Sequence, residues 1–193
     1  MFRIKPQAYI LLAVAMLLFP VRWILSWVLA ASIHEVFHCF AVWATGGCIY
    51  QIQIGAFGAR IETDGSSLGK EAVRALAGPI GGLLLLLTVR FAPRLAICGC
   101  VQSLCNLAPI YPLDGSRVIL SVLHKFTPKY AEKITNILGV MVSGCLFFVG
   151  IYGAAAWKYG LLPLGFSIVL LYRAIKNSLQ SKCIKSTIAL PDY

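Results

Sequence analysis

Charged residues are scarce in this chain, and their scarcity excludes an ordinary soluble domain. Lysine, arginine, aspartate and glutamate make up only 12% of the 193 residues, whereas 59% are hydrophobic and the mean hydropathy is +0.82. A soluble domain of this length could not bury so much apolar surface. Long apolar runs are typical of membrane spans, so we expect the chain to fold in a lipid bilayer.

Acidic residues are the scarcest charged group, with 7 against 17 lysines and arginines, which gives a net charge of +10. The basic residues mostly flank apolar segments, as topology signals do, so we expect no nucleic-acid partner. With the N-terminus on one side of the membrane, 13 of the 17 fall on that side, and the other side holds Arg22, Arg90, Arg94 and Lys158. The positive-inside rule therefore predicts that both termini are cytoplasmic.

Two signals of secreted proteins are also missing. The seven cysteines are odd in number and show no Cys-x-x-Cys spacing, so they predict packing rather than a disulfide scaffold, and the close pair Cys98 and Cys100 is a weak metal site. The N-terminal stretch MFRIKPQAYILLAVAMLLFP has a basic head and an apolar body, but no convincing cleavage site follows it. We therefore expect a retained first span rather than a signal peptide.

Hydropathy predicts an all-α polytopic membrane protein with about six transmembrane helices, at roughly 6–21, 23–46, 72–90, 95–113, 134–156 and 160–175. Residues 48–65 differ, because apolar and polar side chains alternate there before a glycine-rich turn. This alternation favours a small β-hairpin or sheet between the second and third spans, and an irregular loop is the alternative. The whole chain, 1–193, is expected to be one domain with its core at 23–124 and C-terminal helices at 134–175.

The stretch HEVFH, at 34–38, places ionisable side chains inside the apolar second span. Residues four apart share a helix face, so His34 and His38 point the same way and can bind one zinc ion at about 2.0–2.1 Å. Glu35, beside the first histidine, can face a water molecule at that ion. Ionisable groups are costly at membrane depth, and a metal gives a physical reason to keep three of them together. The alternative is that the histidines only pack and form hydrogen bonds inside the protein. That role is common for a lone histidine in a membrane helix, but it does not explain three ionisable groups within five residues.

Catalytic zinc sites usually have three protein ligands, so a third must come from elsewhere in the chain. Asp114 has apolar sequence on both sides, and Pro109 and Pro112 would interrupt a helix just before it. The alternative is that Asp114 and Gly115 form a plain cytoplasmic turn. The other candidates lie in polar or charged surroundings: Glu62, Asp64, Glu71, His124, Glu132 and Asp192.

Together these motifs resemble the site-2 protease family of intramembrane zinc metalloproteases. HEVFH in the second span is followed by AGPIGG at 77–82 and by NLAPIYPLDG, which fits the family's Asn-x-x-Pro…Pro-x-Asp-Gly element. The resemblance covers roughly residues 25–120, and the six-span layout is similar to that of sporulation-type members. The chain departs from the family pattern at Phe37, Gly82 and Ser116, and we expect neither the PDZ domain nor the CBS domain that some members carry.

The resemblance implies a zinc-dependent metalloendopeptidase that hydrolyses peptide bonds of transmembrane or membrane-associated proteins. His34, His38 and Asp114 would hold one zinc ion, Glu35 would be the general base, and Asn106 and Pro112 would contact substrate. From the residues alone, we would expect Asn106 to form a hydrogen bond between two helices. The implied setting is a bacterial cell membrane, with the site open to the cytosol. The implied partners are a substrate such as a precursor transcription factor and a membrane protein that inhibits or regulates cleavage.

Other functional classes compete with this interpretation. A membrane zinc transporter also places histidine and aspartate in its spans, but it would carry ligands on more spans and would not need Glu35. A catalytically inactive homologue that binds membrane proteins would lack a ligand or the base. A different membrane metalloprotease would use a glutamate as third ligand, and this chain has no glutamate inside its predicted spans other than Glu35.

Overall fold

The computed structural model describes residues 2–4, 6–55, 58–63, 67–156 and 162–188. The chain is mostly helical and folds as two compact units, Met1–Leu107 and Ala108–Tyr193. The elements of the first unit are β1 (Phe2–Ile4), α1 (Pro6–Leu18), α2 (Val21–Ala44), β2 (Ile49–Gly55), β3 (Gly58–Thr63), α3 (Leu68–Leu84), a 3-10 turn (Leu85–Thr88) and α4 (Pro93–Asn106). Those of the second unit are α5 (Asp114–Phe126), α6 (Ala131–Ala156) and α7 (Leu162–Ile188).

Three helical segments within the described residues are long and apolar enough to cross a membrane. They are Val21–Ala44, Leu68–Thr88 and Ala131–Gly153, and a shorter apolar helix covers Tyr9–Leu18. Large apolar side chains such as Trp43 and Phe148 are exposed on these helices, where a soluble protein would bury them. These features support an integral membrane protein. The count of six spans stays a prediction, because only three segments meet this criterion.

The helix α2 carries the histidines and has well-defined ends. It begins after Pro20, whose backbone is extended, and it ends at Ala44. Gly46 then adopts a positive φ of 72°, a left-handed conformation in which glycine has no steric penalty. Its N–H and that of Gly47 donate to the carbonyls of Trp43 and Val42, both at 2.9 Å. The chain therefore turns sharply at the end of α2, and β2 begins at Ile49.

Glycines let the helices α3 and α4 approach each other closely. A Cβ placed on Gly99 of α4 would lie 2.6 Å from the carbonyl oxygen of Gly82 on α3, so neither helix has room for a side chain there. Such close backbone contact is typical of helix packing in membranes. Beside it, the buried residues Ala30, Leu85 and Cys98 join α2, the 3-10 turn and α4 in one apolar core.

The predicted hairpin between the second and third spans is present and belongs to a three-stranded sheet. β2 pairs antiparallel with β3, with a register shift between Ile49 and Gln51, and the N-terminal strand β1 pairs parallel with the other edge of β2. The strand order is β1-β2-β3, so β2 is central and β3 is an edge strand. The sequence did not predict β1, because three residues are too few to show a strand pattern.

Prolines interrupt the predicted fourth span. α4 ends at Asn106 and α5 begins at Asp114, so the predicted span at 95–113 is helical only in its first part. In the second unit, Ile110 is fully buried with Leu170 and Ala174 of α7. The carbonyl oxygen of Pro109 lies so close to Gly139 of α6 that a Cβ there would approach it to 2.8 Å. The proline-containing segment is thus packed against its own unit.

Candidate metal centre

The two histidines of HEVFH share one face of α2, as their spacing predicts, and both are buried. His34 is 3% exposed and His38 is 7% exposed. Their imidazole rings meet edge to face with centroids 4.8 Å apart, and their Nε2 atoms lie 3.2 Å from each other. The pair therefore presents two nitrogens to a common point.

The hydrogen bonds around the two rings leave both of these nitrogens as acceptors. Nδ1 of His38 lies 2.7 Å from the carbonyl oxygen of Arg74, and a carbonyl can only accept, so Nδ1 carries the proton and Nε2 has the lone pair. The amide nitrogen of Asn106 lies 3.3 Å from Nε2 of His34 and donates to it. Two lone pairs therefore converge at 3.2 Å, which repels unless a cation lies between them.

This spacing fits zinc. Two nitrogens bound tetrahedrally at about 2.0–2.1 Å from one zinc ion lie about 3.3–3.4 Å apart. The observed 3.2 Å agrees with that value without any movement of the helix. Neutral imidazole is also the form that binds metal, and the bond from His38 to a backbone carbonyl is the kind of outer contact that orients such ligands.

Helix α3 leaves room beside the histidines because its sequence is AGPIGG at this point. A Cβ on Gly78 would contact Nε2 of His38 and would lie 2.6 Å from Nε2 of His34. One turn on, a Cβ on Gly81 would meet the side chain of Phe37, at 2.8 Å from its Cβ. Phe37, one of the departures from the family pattern, is therefore accommodated by a glycine on the facing helix.

The remaining residues predicted for the site lie as follows. Glu35 is half-buried on α2, next to His34. Asn106 is the last residue of α4, and its contact with His34 is an interhelical hydrogen bond of the kind expected from the residues alone. Pro112 is exposed and follows a cis peptide bond from Tyr111. No contact here tests the substrate roles of Asn106 and Pro112, so these stay predictions.

Asp114 belongs to the second unit and is the first residue of α5. The residue is 9% exposed. One carboxylate oxygen lies 3.7 Å from Nη1 of Arg117, one turn along the same helix. Asp114 lies at a helix N-terminus, where the backbone N–H groups carry partial positive charge.

Sequence reasoning missed Arg74 and Gly78, which enclose His38. A signal for Arg74 was present, since a charged residue inside the predicted span at 72–90 is itself unusual. The basic residue was counted as a topology signal instead. Gly78 had no such signal beyond its place in AGPIGG, because close approach of another helix cannot be read from a glycine alone.

A mostly helical chain with three long apolar helical segments defines an integral membrane protein, and its histidine pair is buried. The structure is similar to that of a site-2 protease from Methanocaldococcus jannaschii, with a TM-score of 0.69 and 18% sequence identity. The match covers 92% of this chain and 90% of that chain. No protein-family model and no curated protein matches this sequence. The resemblance to the site-2 protease family is thus confirmed for the fold.

Proposed function

We propose that this chain is a zinc-dependent intramembrane metalloprotease that hydrolyses peptide bonds of transmembrane or membrane-associated proteins. The observation that carries the proposal is the convergence of two buried Nε2 lone pairs 3.2 Å apart on a helix that is apolar enough to span a membrane. The likeness of the fold to a site-2 protease supports it.

The proposed ligands of one zinc ion are His34, His38 and Asp114. Each of these side chains offers one atom that can ligate a metal. Two neutral imidazoles and one carboxylate form a typical three-ligand catalytic set, which leaves a position open for water. A zinc ion held there would supply a Lewis acid that activates water and polarises a peptide carbonyl.

The chain's own residues then perform the proton transfers. Glu35 accepts a proton from the attacking water and delivers it to the nitrogen of the leaving amine. The lone pair of Nε2 on His34 cannot serve a metal and Asn106 together. With a metal held by His34, the Asn106 amide, 3.3 Å from Nε2 in this structure, would lose this acceptor and would donate to a substrate carbonyl instead.

A substrate must be extended before hydrolysis, since a helix hides its carbonyl groups. Both edges of β2 are taken by β1 and β3, so we propose that a substrate strand pairs with the outer edge of β3. By the distribution of basic residues, the site opens to the cytosol and the termini are cytoplasmic. The product would be a released cytosolic factor such as a transcription factor, and a membrane protein that inhibits or regulates cleavage is a further proposed partner.

The test is the substitution Glu35→Gln in purified protein reconstituted into lipid vesicles with a panel of tagged transmembrane substrates. We expect full zinc content with cleavage reduced by about 100-fold or more, because a general base contributes roughly 10²–10⁴ to the rate. Glu132→Gln, an exposed glutamate on α6, is the matched control and should cleave normally. Unchanged cleavage by Glu35→Gln would reject Glu35 as the base, and zinc flux into vesicles without any cleavage would favour a transporter.

A further inference from the structure

One turn of α3, from Arg74 to Gly78, lies against both nitrogens of His38. The carbonyl of Arg74 accepts from Nδ1 at 2.7 Å, and a Cβ on Gly78 would overlap Nε2 on the other side of the ring. This turn fixes which nitrogen is protonated and keeps space open at the other. The position of a single helical turn thus decides whether His38 can act as a ligand.

The side chain of Arg74 joins that turn to two other elements. It is 3% exposed, and its guanidinium makes two hydrogen bonds to threonines on other elements. Nε donates to Oγ1 of Thr45 at 2.8 Å, and Nη1 donates to Oγ1 of Thr63 at 3.4 Å. Thr45 is the C-terminal cap of α2, and Thr63 is the last residue of β3. One guanidinium therefore ties α3 to the end of the histidine helix and to the edge strand of the sheet.

The contact with Thr45 is itself held in place. Oγ1 of Thr45 donates to the carbonyl of Ala41 at 2.8 Å, so its lone pair is directed away from α2 and towards Arg74. A planar guanidinium can donate in two fixed directions, whereas a lysine ammonium on a flexible stem cannot reproduce both bonds. Burying a cation is costly, and simple packing would be served better by an apolar side chain. The arrangement indicates a positional role.

We propose that Arg74 is a positioning residue for His38: it holds the α3 turn that sets the Nδ1–H tautomer, and it links that turn to β3. The effect of this tautomer on zinc binding rests on the proposed function. The tautomer of His38, however, is a property of the metal-free protein, so it can be tested whether or not the protein is a protease.

The chain has only three histidines, His34, His38 and His124, so nitrogen NMR of protein labelled with 15N-histidine can resolve them. In metal-free wild-type protein we expect His38 to be protonated at Nδ1 alone, with the three histidines assigned by His124→Gln and His34→Gln variants. Arg74→Lys keeps the positive charge but loses the planar guanidinium that donates to both threonines. This variant should therefore populate the Nε2–H tautomer of His38. The matched control is Arg94→Gln, an exposed arginine of α4, which should leave the spectrum unchanged.

Zinc affinity gives a second readout, measured by competition with a chromophoric chelator. Loss of an outer partner of a metal-bound histidine typically weakens binding by about 10–100-fold, and we expect a loss in this range for Arg74→Lys. Thr45→Val and Thr63→Val each remove one hydrogen bond from Arg74. The larger loss of zinc affinity is expected for Thr45→Val, because its hydrogen bond is shorter.

The outcomes separate the two proposals. A folded Arg74→Lys protein with a pure Nδ1–H tautomer and wild-type zinc affinity would overturn the role of Arg74. If Arg74→Lys does not fold, the threonine variants decide, and wild-type spectra and affinity in both would overturn it equally. A protein that never binds zinc or cleaves, but whose His38 tautomer follows Arg74, would reject the protease and leave the positioning role intact.

Discussion

His38 in the first unit and Asp114 in the second are held by different kinds of contact. His38 lies between a backbone carbonyl and a glycine of one helical turn, and neither group can move unless α3 moves. Asp114 pairs with a side chain on its own helix, Arg117, which is 43% exposed and can rotate away. The comparison shows that His38 is held rigidly by the packing of α3, whereas the ion pair of Asp114 with Arg117 can rearrange.

The same contrast extends to the surroundings of each residue. In the first unit, α3 and α4 pack against each other through glycines. A methyl group added at one of these glycines would therefore overlap atoms of the facing helix. In the second unit a cavity of about 190 Å³ adjoins Arg117 between α5, α6 and α7, so its side chain has room to change conformation. Substitutions should therefore have large effects around the histidines and small effects around the partner of Asp114.

The largest effect is expected for Gly78→Ala. The new methyl group would overlap Nε2 of His38 and lie 2.6 Å from Nε2 of His34, so zinc binding should be lost, and stability should fall by about 1–3 kcal/mol as in other overpacked cores. Metal analysis and thermal unfolding in detergent measure both. Gly69→Ala on the same helix is the control, because a Cβ there meets nothing within 4 Å. Normal zinc binding by Gly78→Ala would show that the histidine part is not rigid.

A somewhat smaller effect is expected for Asp114→Ala, which removes one proposed ligand and leaves the histidine pair in place. Zinc affinity should fall by more than the roughly 10–100-fold that the loss of an outer partner costs. The protein should remain folded, and the NMR signals of metal-free His38 should not change. The matched control is Glu132→Ala, an exposed acid at the start of α6. Full zinc retention by Asp114→Ala would reject this residue as a ligand.

The histidine face could be predicted because it depends on local periodicity. His34 and His38 are four residues apart on a helix whose apolar length is evident, and α2 at Val21–Ala44 agrees closely with the predicted span at 23–46. The break before Asp114 was predictable for a similar reason, since Pro109 and Pro112 act on their own backbone. Both features are encoded within a few residues of where they act.

The contacts that hold His38 could not be predicted, because they join residues far apart in the chain. Arg74 meets Thr45 and Thr63 only once α2, β3 and α3 are assembled, and until then it resembles any basic residue near a span end. The strand β1 was missed because three residues are too few to show a strand pattern, and it is recognisable only by its pairing with residues 52–54. Sequence patterns thus identified the ligands, and the structure was needed to see what positions them.

The smallest effect is expected for Arg117→Gln, which removes the guanidinium that pairs with Asp114 on the same helix. A half-exposed ion pair at 3.7 Å contributes at most about 1 kcal/mol, which is roughly a fivefold change in an equilibrium constant. Zinc affinity should therefore change by no more than this, and the effect should shrink in high salt. Chelator competition at two salt concentrations measures it, with Arg94→Gln as the control. A loss as large as that of Gly78→Ala would mean that Arg117 holds Asp114 as firmly as α3 holds His38, and the contrast between the two units would disappear.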